Sequence, residues 1–198
     1  MNIGIDIDGV LTDLEKMVID NGTKLCLEKN WPIKINAIEY DVGKTFNWSR
    51  EQEDEFWLTY FIEYVQKSRP RVFASEIINK LKQEGNKIYF ITARDNYGIP
   101  QKYYGKIQNL TKKWLKKNNI KYEKILFVKD EEKLQQCIEN NIKVMIEDSP
   151  KNIENISKQI KVIKFASQYN KEINNENVIT ALSWPHIYRI IKELMEGI

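Results

Sequence analysis

Cysteine, histidine and closely spaced glycines are scarce in this chain, and each shortage excludes a class of protein. The 198 residues include 2 cysteines, Cys26 and Cys137, too few for a disulfide framework and without zinc-site spacing, so we expect reduced, buried thiols. The 1 histidine, His186, is expected to have a structural or surface role. The lack of a Gly-x-Gly pair and of a Walker-type loop argues against a dinucleotide enzyme and a P-loop kinase.

The sequence also lacks a dominant charge and a long apolar run. Its 31 lysines and arginines nearly balance 28 acidic residues, which is not typical of a protein that binds nucleic acid polymers, although a small anionic ligand would fit. The chain opens on its first predicted strand, with no apolar stretch long enough for a signal peptide or a membrane span. These features predict a cytoplasmic protein without a membrane or nucleic acid polymer as partner, and they leave a homodimer open.

The most informative segment is residues 2–8, where isoleucines alternate with Gly4, Asp6 and Asp8. Alternation with a period of two is typical of a strand and places both carboxylates on the same side of it. Two like charges so close together are unfavourable unless a cation or a proton lies between them. The segment therefore predicts either a divalent metal or a protonated carboxyl group at the end of a strand.

Short apolar strands alternate with helices along most of the remaining chain. We expect buried strands over residues 87–92, 124–128, 143–146 and 162–165, and helices over about 75–85, 101–118 and 131–140, from 149 onward and over 183–196. This alternation predicts an α/β fold with a doubly wound parallel sheet, covered by helices on both faces.

Residues 14–73 differ from the rest because they show helical patterns and no buried strand. We predict that they form a small helical lid inserted after the first strand, with the α/β core in residues 1–13 and 74–198. Within this segment, Ser49 and Gln52 have the spacing of a capping box and predict a helix start.

Polar residues follow the predicted strands, at the edge where the carboxyl ends of parallel strands meet. They are Asp6 and Asp8 after the first strand, Thr92, Arg94 and Asp95 after the second, Lys129 and Lys133 after the third, and Glu147, Asp148 and Ser149 after the fourth. Such a set contains a carboxylate nucleophile, a second acid, a hydroxyl, an ammonium group and acids that can hold Mg²⁺. The edge therefore predicts phosphoryl transfer.

The motifs resemble those of the haloacid-dehalogenase-like phosphohydrolase superfamily, with its Rossmann-like core. They are DIDGVLTD at 6–13, FITAR at 90–94, a lysine, and IEDSP at 146–150. The form ITARD and the spacing of Lys133 and Cys137 make the chain most similar to the deoxyribonucleotidase family and its bacterial nucleotidase-like relatives. The resemblance implies a Mg²⁺-dependent phosphomonoesterase that works through an aspartyl-phosphate, with a nucleoside or deoxynucleoside monophosphate as substrate.

Two other functions stay open at this point. One is a phosphatase for a sugar phosphate or another small metabolite, because fold and reaction class do not choose a leaving group. The other is a non-catalytic regulatory protein that accepts phosphate, although such a protein has no use for a second acid two residues after the acceptor.

The resemblance also implies a role for each acid. Asp6 is the nucleophile, and Asp8 is the acid and base that protonates the leaving oxygen and activates water. Asp6, the main-chain carbonyl of Asp8, Asp148 and Glu147 are the expected Mg²⁺ ligands. Whether Glu147 or Asp148 touches the metal is open, because the first acid of this motif is often an aspartate in the superfamily.

The resemblance places the phosphate near the second strand. The hydroxyl of Thr92 and the backbone of Ala93 and Arg94 are expected to bind its oxygens, together with Lys133. Lys129 is the alternative lysine, because it lies closer to the strand end.

The aromatic residues of the predicted lid divide into two groups. Phe46, Trp48 and Tyr60 are expected to face the active site and stack on a base, whereas Trp57, Phe61 and Tyr64 are expected to form the lid's own core. The opposite assignment stays open, because helical periodicity alone does not orient the lid.

Overall fold

The computed structural model describes residues 1–94 and 99–197, and this part of the chain forms a six-stranded parallel sheet. The strands are β1 (Asn2–Ile5), β2 (Lys87–Thr92), β3 (Lys124–Phe127), β4 (Val144–Glu147), β5 (Lys161–Phe165) and β6 (Val178–Ala181). Their order across the sheet is β3-β2-β1-β4-β5-β6. The predicted α/β fold with a doubly wound parallel sheet is confirmed.

Eight α-helices connect or flank these strands in the described residues. They are α1 (Leu14–Lys29), α2 (Val42–Phe46), α3 (Arg50–Lys67), α4 (Ala74–Gln83), α5 (Ile107–Lys117), α6 (Lys133–Glu139), α7 (Pro150–Ile156) and α8 (Trp184–Glu196).

Two helix starts and one additional strand differ from the sequence-based expectation. The helix expected from residue 101 starts only at Ile107, because Gly105 has φ +70° and separates α5 from a 3-10 turn at Gln101–Tyr103. A second 3-10 turn, Asp130–Glu132, delays the start of α6. Strand β6 was not expected, because it is a four-residue edge strand with only its first and last residues buried.

Two hydrophobic clusters cover the two faces of the sheet. Ile3, Ile5 and Trp184 belong to one cluster, whereas Ile91 and Met145 belong to the other. Strands that are buried on both faces need apolar side chains at nearly every position, which explains the continuous apolar runs in the sequence.

The strand order reverses between β1 and β4, and ligands of such sheets bind at this switch point. Ile5 pairs with Ile146 in the register of the two strands. One residue further, the backbone N–H of Asp6 donates to the Ile146 carbonyl over 3.0 Å. The chain segments that follow β1 and β4 therefore leave the sheet side by side.

The helices α1, α2 and α3 share a hydrophobic cluster of their own, which includes Val18, Cys26 and Phe56. The predicted capping box of α3 is present, with Ser49 and Gln52 hydrogen-bonded to each other's backbone N–H groups. The division into a lid of residues 14–73 and a core of residues 1–13 and 74–198 stays a prediction.

Both cysteines are free and buried, as expected, and burial raises the pKa of Cys137 to about 12. His186 lies half-buried near the start of α8. Within the described ranges, none of the helices combines the length and the apolar character that crossing a membrane requires.

A buried lysine on β5 fixes the loop that follows this strand. Lys164 is 3% exposed, and its Nζ donates to the carbonyl oxygens of Asn170 at 3.0 Å, Lys171 at 3.4 Å and Ile173 at 2.7 Å. Burial lowers the pKa of this ammonium group. The lysine thus takes the place of backbone donors for three carbonyl groups in a loop that contains Tyr169.

Replacing this ammonium group tests its structural importance. The substitution Lys164→Met leaves buried carbonyl groups without a donor and is expected to lower the free energy of unfolding by about 1 to 3 kcal/mol. Lys158→Met, at an exposed position, is the control and should change it by less than about 0.5 kcal/mol. Urea unfolding followed by circular dichroism measures both, and equal midpoints for the two variants would contradict the assignment.

Candidate active site

Asp6 and Glu147 lie at the ends of adjacent strands and share one buried lysine. Lys133, the first residue of α6, donates to Oδ1 of Asp6 and to Oε2 of Glu147, over 2.9 Å in each case. All three side chains are buried: Asp6 is 5% exposed, Glu147 is 0% exposed and Lys133 is 2% exposed. Burial raises the pKa of Asp6 while the charge of Lys133 opposes this rise, so the lysine stabilises the ionised carboxylate. Lys129 is exposed, and Lys133 is the lysine that reaches the acids.

The two acids at the end of β4, Glu147 and Asp148, have different hydrogen-bond partners. Besides Lys133, the Glu147 carboxylate accepts the backbone N–H groups of Asp148 and Ser149, each over 3.1 Å, at Oε1. Asp148 is 1% exposed and accepts a hydrogen bond at Oδ2 from the Tyr169 hydroxyl. Its buried Oδ1 has no partner among residues 1–94 and 99–197. Both oxygens of Glu147 therefore already accept hydrogen bonds, whereas one oxygen of Asp148 has no donor among the described residues.

The residues present fit a divalent metal ion. Asp6, Glu147 and Asp148 each offer a carboxylate oxygen, and these oxygens lie within 4.8 Å of one another. Hard cations such as Mg²⁺ prefer oxygen ligands, and the unpartnered Oδ1 of Asp148 is such an oxygen. Burial, followed by the charges of Glu147 and Asp6, raises the pKa of Asp148 well above its ordinary value, so a cation at this cluster would remove an electrostatic conflict.

Gly9 allows the segment after β1 to approach Asp148. The residue has φ +80°, and a Cβ atom placed there would lie 1.9 Å from Oδ2 of Asp148. Any side chain would displace the carboxylate or the loop, so glycine is required by the close approach as well as by the backbone angle.

Asp8 lies outside the group of three clustered carboxylates and pairs with Arg94. The guanidinium group donates from Nε to Oδ2 over 2.8 Å and from Nη2 to Oδ1 over 2.6 Å, and its Nη1 donates to the Thr111 hydroxyl over 3.3 Å. Burial favours a higher pKa for Asp8, but the charge and hydrogen bonds of Arg94 outweigh it and hold the pKa below its ordinary value. Arg94 therefore anchors Asp8, which is ionised in this arrangement.

The carboxyl end of β2 presents a buried hydroxyl to the same region. Thr92 is 1% exposed, and its Oγ1 has no hydrogen-bond partner in the described part of the chain. Its side chain lines the cavity described below together with Ala93. Asp95, which also follows β2, lies outside the described residues.

A cavity of about 330 Å³ opens over the strand ends and is roofed by residues 14–61. Its lining includes Asp6, Asp8 and Lys133 on the side of the sheet, and Trp57 and Phe61 of α3 on the opposite side. The structure thus joins the acids and the helices after β1 in one pocket, of a size that suits a small molecule.

The aromatic residues expected to face the site are placed elsewhere. Phe46, Trp48 and Tyr60 pack in the cluster shared by α1, α2 and α3, and Phe46 stacks on Trp48 with a 4.4 Å centroid distance. The reason lies in α3, where Phe56 and Tyr60 form one stripe and Trp57 and Phe61 form the adjacent one. Docking of the helix decides which stripe meets the strand ends, and it turns Trp57 and Phe61 towards the cavity.

Several residues around the acids were not expected from the sequence. Tyr169 and Asn170 follow β5 and both bind Asp148. The Tyr169 hydroxyl donates to Oδ2 of Asp148, and the side-chain amide of Asn170 donates to its main-chain carbonyl over 2.8 Å. Extending the search for polar residues to the end of the fifth strand would have found these two. Tyr64, whose hydroxyl contacts that of Thr12 and lies beside Asp8, was assigned to the lid core, and nothing in the local pattern distinguishes it.

Comparison with solved structures identifies the fold of this chain. A haloacid dehalogenase-like hydrolase from Streptococcus pneumoniae aligns with a TM-score of 0.65 at 14% identity, over 96% of this chain and 97% of that chain. The D,D-heptose 1,7-bisphosphate phosphatase from B. bronchiseptica, solved with magnesium and phosphate, aligns with a TM-score of 0.58 at 8% identity, over 98% of both chains. The fold is that of the haloacid-dehalogenase-like superfamily.

The sequence comparisons narrow the class to one family. The chain belongs to the family described as 5' nucleotidase, deoxy (pyrimidine), cytosolic type C protein, whose model matches residues 1–195. A nucleotidase from Clostridium acetobutylicum is 29% identical over 99% of this chain and 96% of its own length. These findings confirm the resemblance drawn from the motifs and identify a phosphoric monoester hydrolase of the nucleotidase type, which removes the non-catalytic alternative.

Substitution of Gly9 tests the close approach to Asp148. Gly9→Ala is expected to displace the Asp148 carboxylate and to weaken Mg²⁺ binding by the purified protein at least about tenfold, measured by titration calorimetry. Gly85→Ala is a matched control, because Gly85 has φ +87° but a Cβ atom there would meet no other atom within 4 Å. The control should lose stability and keep its Mg²⁺ affinity, and equal Mg²⁺ affinities of the two variants would refute the prediction.

Proposed function

We propose that this protein is a Mg²⁺-dependent phosphomonoesterase that hydrolyses nucleoside or deoxynucleoside monophosphates through an aspartyl-phosphate on Asp6. One observation carries the proposal: three buried carboxylates lie within 4.8 Å of one another beside a buried lysine, at the sheet's switch point. The family description supports the substrate class. The magnesium and phosphate bound to the B. bronchiseptica phosphatase support the choice of metal.

Asp6 and Asp148 would hold the metal ion with the main-chain carbonyl of Asp8, while Glu147, whose oxygens are already engaged, keeps Lys133 in place. When bound, Mg²⁺ supplies positive charge that offsets the charges of the phosphate and the carboxylates. This arrangement favours Asp148 over Glu147 as the direct ligand.

Asp6 attacks phosphorus in the first step. A bond forms between a carboxylate oxygen of Asp6 and phosphorus, the ester P–O bond breaks, and its electron pair leaves with the alcohol oxygen. Lys133 restrains the Asp6 side chain through the 2.9 Å hydrogen bond and offers an ammonium charge to the phosphoryl oxygens. The unpartnered hydroxyl of Thr92 donates to one of these oxygens, next to the backbone of Ala93 and Arg94.

Asp8 moves the proton in both steps. It gives a proton to the leaving alcohol oxygen, and it then takes a proton from the water that attacks phosphorus and releases Asp6. The pair with Arg94 holds Asp8 in its ionised form, which is the form that accepts a proton. Protonation of the leaving group therefore requires Asp8 to carry a proton and to separate from Arg94 in the substrate complex.

Phosphate release tests the reaction and the substrate class together. With Mg²⁺ supplied, we expect kcat/KM for nucleoside and deoxynucleoside monophosphates to exceed that for sugar phosphates at least about tenfold. EDTA and the substitution Asp6→Asn should each abolish release, because they remove the metal and the nucleophile. Asp20→Asn, at an exposed position on α1, is the control and should retain full activity.

Each part of the proposal has an outcome that contradicts it. Faster turnover of sugar phosphates overturns the substrate class, and full turnover in EDTA overturns the metal dependence. Borohydride reduces an acyl phosphate to an alcohol, so quenching during turnover should convert Asp6 into homoserine, detected by mass spectrometry of its peptide. An unmodified Asp6 under these conditions argues against the covalent intermediate.

The role of Asp8 is tested by Asp8→Asn. This change keeps the shape of the side chain and removes its proton transfer, so kcat is expected to fall about 10²- to 10⁴-fold. Mg²⁺ affinity, measured by calorimetry on the same preparation, should stay unchanged because the main-chain carbonyl remains. A kcat equal to that of the unmodified protein would refute the assignment.

A further inference from the structure

The roof of the cavity carries four carboxylates and no cation. Residues 14–61 contribute Glu15, Glu39, Asp41 and Glu53 to the lining, which we call the acidic wall, and none of the lining residues from this segment is lysine or arginine. The Trp57 Nε1–H donates to Oε1 of Glu53 over 3.4 Å, which places this carboxylate directly beside the aromatic part of the lining.

The cations that line the cavity belong to its opposite side and are already matched. Among the described lining residues these are Arg94 and Lys133. Arg94 forms two hydrogen bonds with Asp8, and Lys133 is shared by Asp6 and Glu147. The part of the cavity under the roof therefore has an excess of negative charge.

A lysine that pairs with one carboxylate of the acidic wall offsets this charge only weakly. Lys44 pairs with Asp41 over 3.0 Å, and the two side chains are 68% and 57% exposed, so solvent and salt screen the pair.

The two ends of the cavity thus favour different chemical groups. At the sheet edge, the buried hydroxyl of Thr92 has no partner among the described residues and can donate to an anionic oxygen. Under the roof, ionised carboxylates can only accept hydrogen bonds, and they share the lining of the cavity with the rings of Trp57 and Phe61. A ligand that fits both ends has its anionic group at the sheet edge and donors on a flat, uncharged body under the roof.

We propose that the acidic wall determines specificity, selecting monophosphate esters whose leaving group is uncharged and donates hydrogen bonds, and rejecting esters with a second anionic group. This inference rests on the proposed function and adds to it the chemical class of the leaving group. A nucleoside whose base has an amino group fits the description. A second phosphate or a carboxylate on the leaving group would lie near Glu39 and Glu53 and be repelled, because Coulomb interactions act strongly in a partly enclosed site.

Paired substrates test the proposal. Deoxycytidine 5'-monophosphate and deoxycytidine 3',5'-bisphosphate differ only in the second phosphate, and kcat/KM should favour the monophosphate at least about 100-fold at low ionic strength. Added salt should narrow this ratio. Glu53→Gln, which removes one charge at constant shape, should narrow it about tenfold by raising kcat/KM for the bisphosphate. Glu39→Gln is a second variant that should act in the same direction.

Glu63→Gln is the matched control, because Glu63 lies on the same helix but is 62% exposed and pairs with Lys67 at the surface. It should leave the ratio unchanged. Equal or faster turnover of the bisphosphate by the unmodified protein overturns the inference, and so does an unchanged ratio in both wall variants.

The failure of the proposed function gives a different result. If neither ester is hydrolysed, the phosphomonoesterase proposal fails, and calorimetric binding of the same two compounds in the presence of Mg²⁺ decides the inference instead. Tighter binding of the monophosphate, with a preference that falls in Glu53→Gln, supports the acidic wall. Tighter binding of the bisphosphate, or no binding of either compound, overturns it.

Discussion

The site depends on burying several carboxylates at one edge of a parallel sheet, which is unfavourable unless each charge is compensated. Lys133 compensates Asp6 and Glu147, and Arg94 compensates Asp8, through hydrogen bonds of 2.6 to 2.9 Å. The remaining carboxylate, Asp148, has no cation among the described hydrogen-bond partners of its side chain. This imbalance, rather than the number of acids, is what points to a metal ion, since a divalent cation would complete the compensation.

The loops around Asp148 are built to keep this carboxylate in place. Gly9 approaches it so closely that no side chain fits, and the hydroxyl of Tyr169 binds its other oxygen. Tyr169 belongs to the loop that Lys164 fixes, and the ring of Tyr40 packs against it with a 5.1 Å centroid distance. Residues that are far apart in sequence thus converge on one carboxylate, and Tyr40 links it to the roof of the cavity.

Much of the candidate site could be predicted because parallel strands place their carboxyl ends at one edge. Asp6, Thr92, Lys133 and Glu147 follow or flank apolar runs that are visible in the sequence, and the structure brings them together as expected. The position of the roof was not predictable in the same way. The stripes of α3 that contain Tyr60 and Trp57 are equally aromatic. The structure packs Tyr60 in the cluster of α1, α2 and α3 and places Trp57 along the cavity, the reverse of the expectation.

The sequence by itself determined the class of fold, the strand ends that carry the acids and the superfamily, because period and motif order are local properties of the chain. Only the tertiary structure decided that Lys133 rather than Lys129 reaches the acids and that Asp8 pairs with Arg94. It also decided that both oxygens of Glu147 accept hydrogen bonds, while Oδ1 of Asp148 has no partner among the described residues. These outcomes depend on which donors packing brings within hydrogen-bond distance. Contacts between residues more than 80 positions apart, such as Asp8 and Arg94, have no local signature in the sequence.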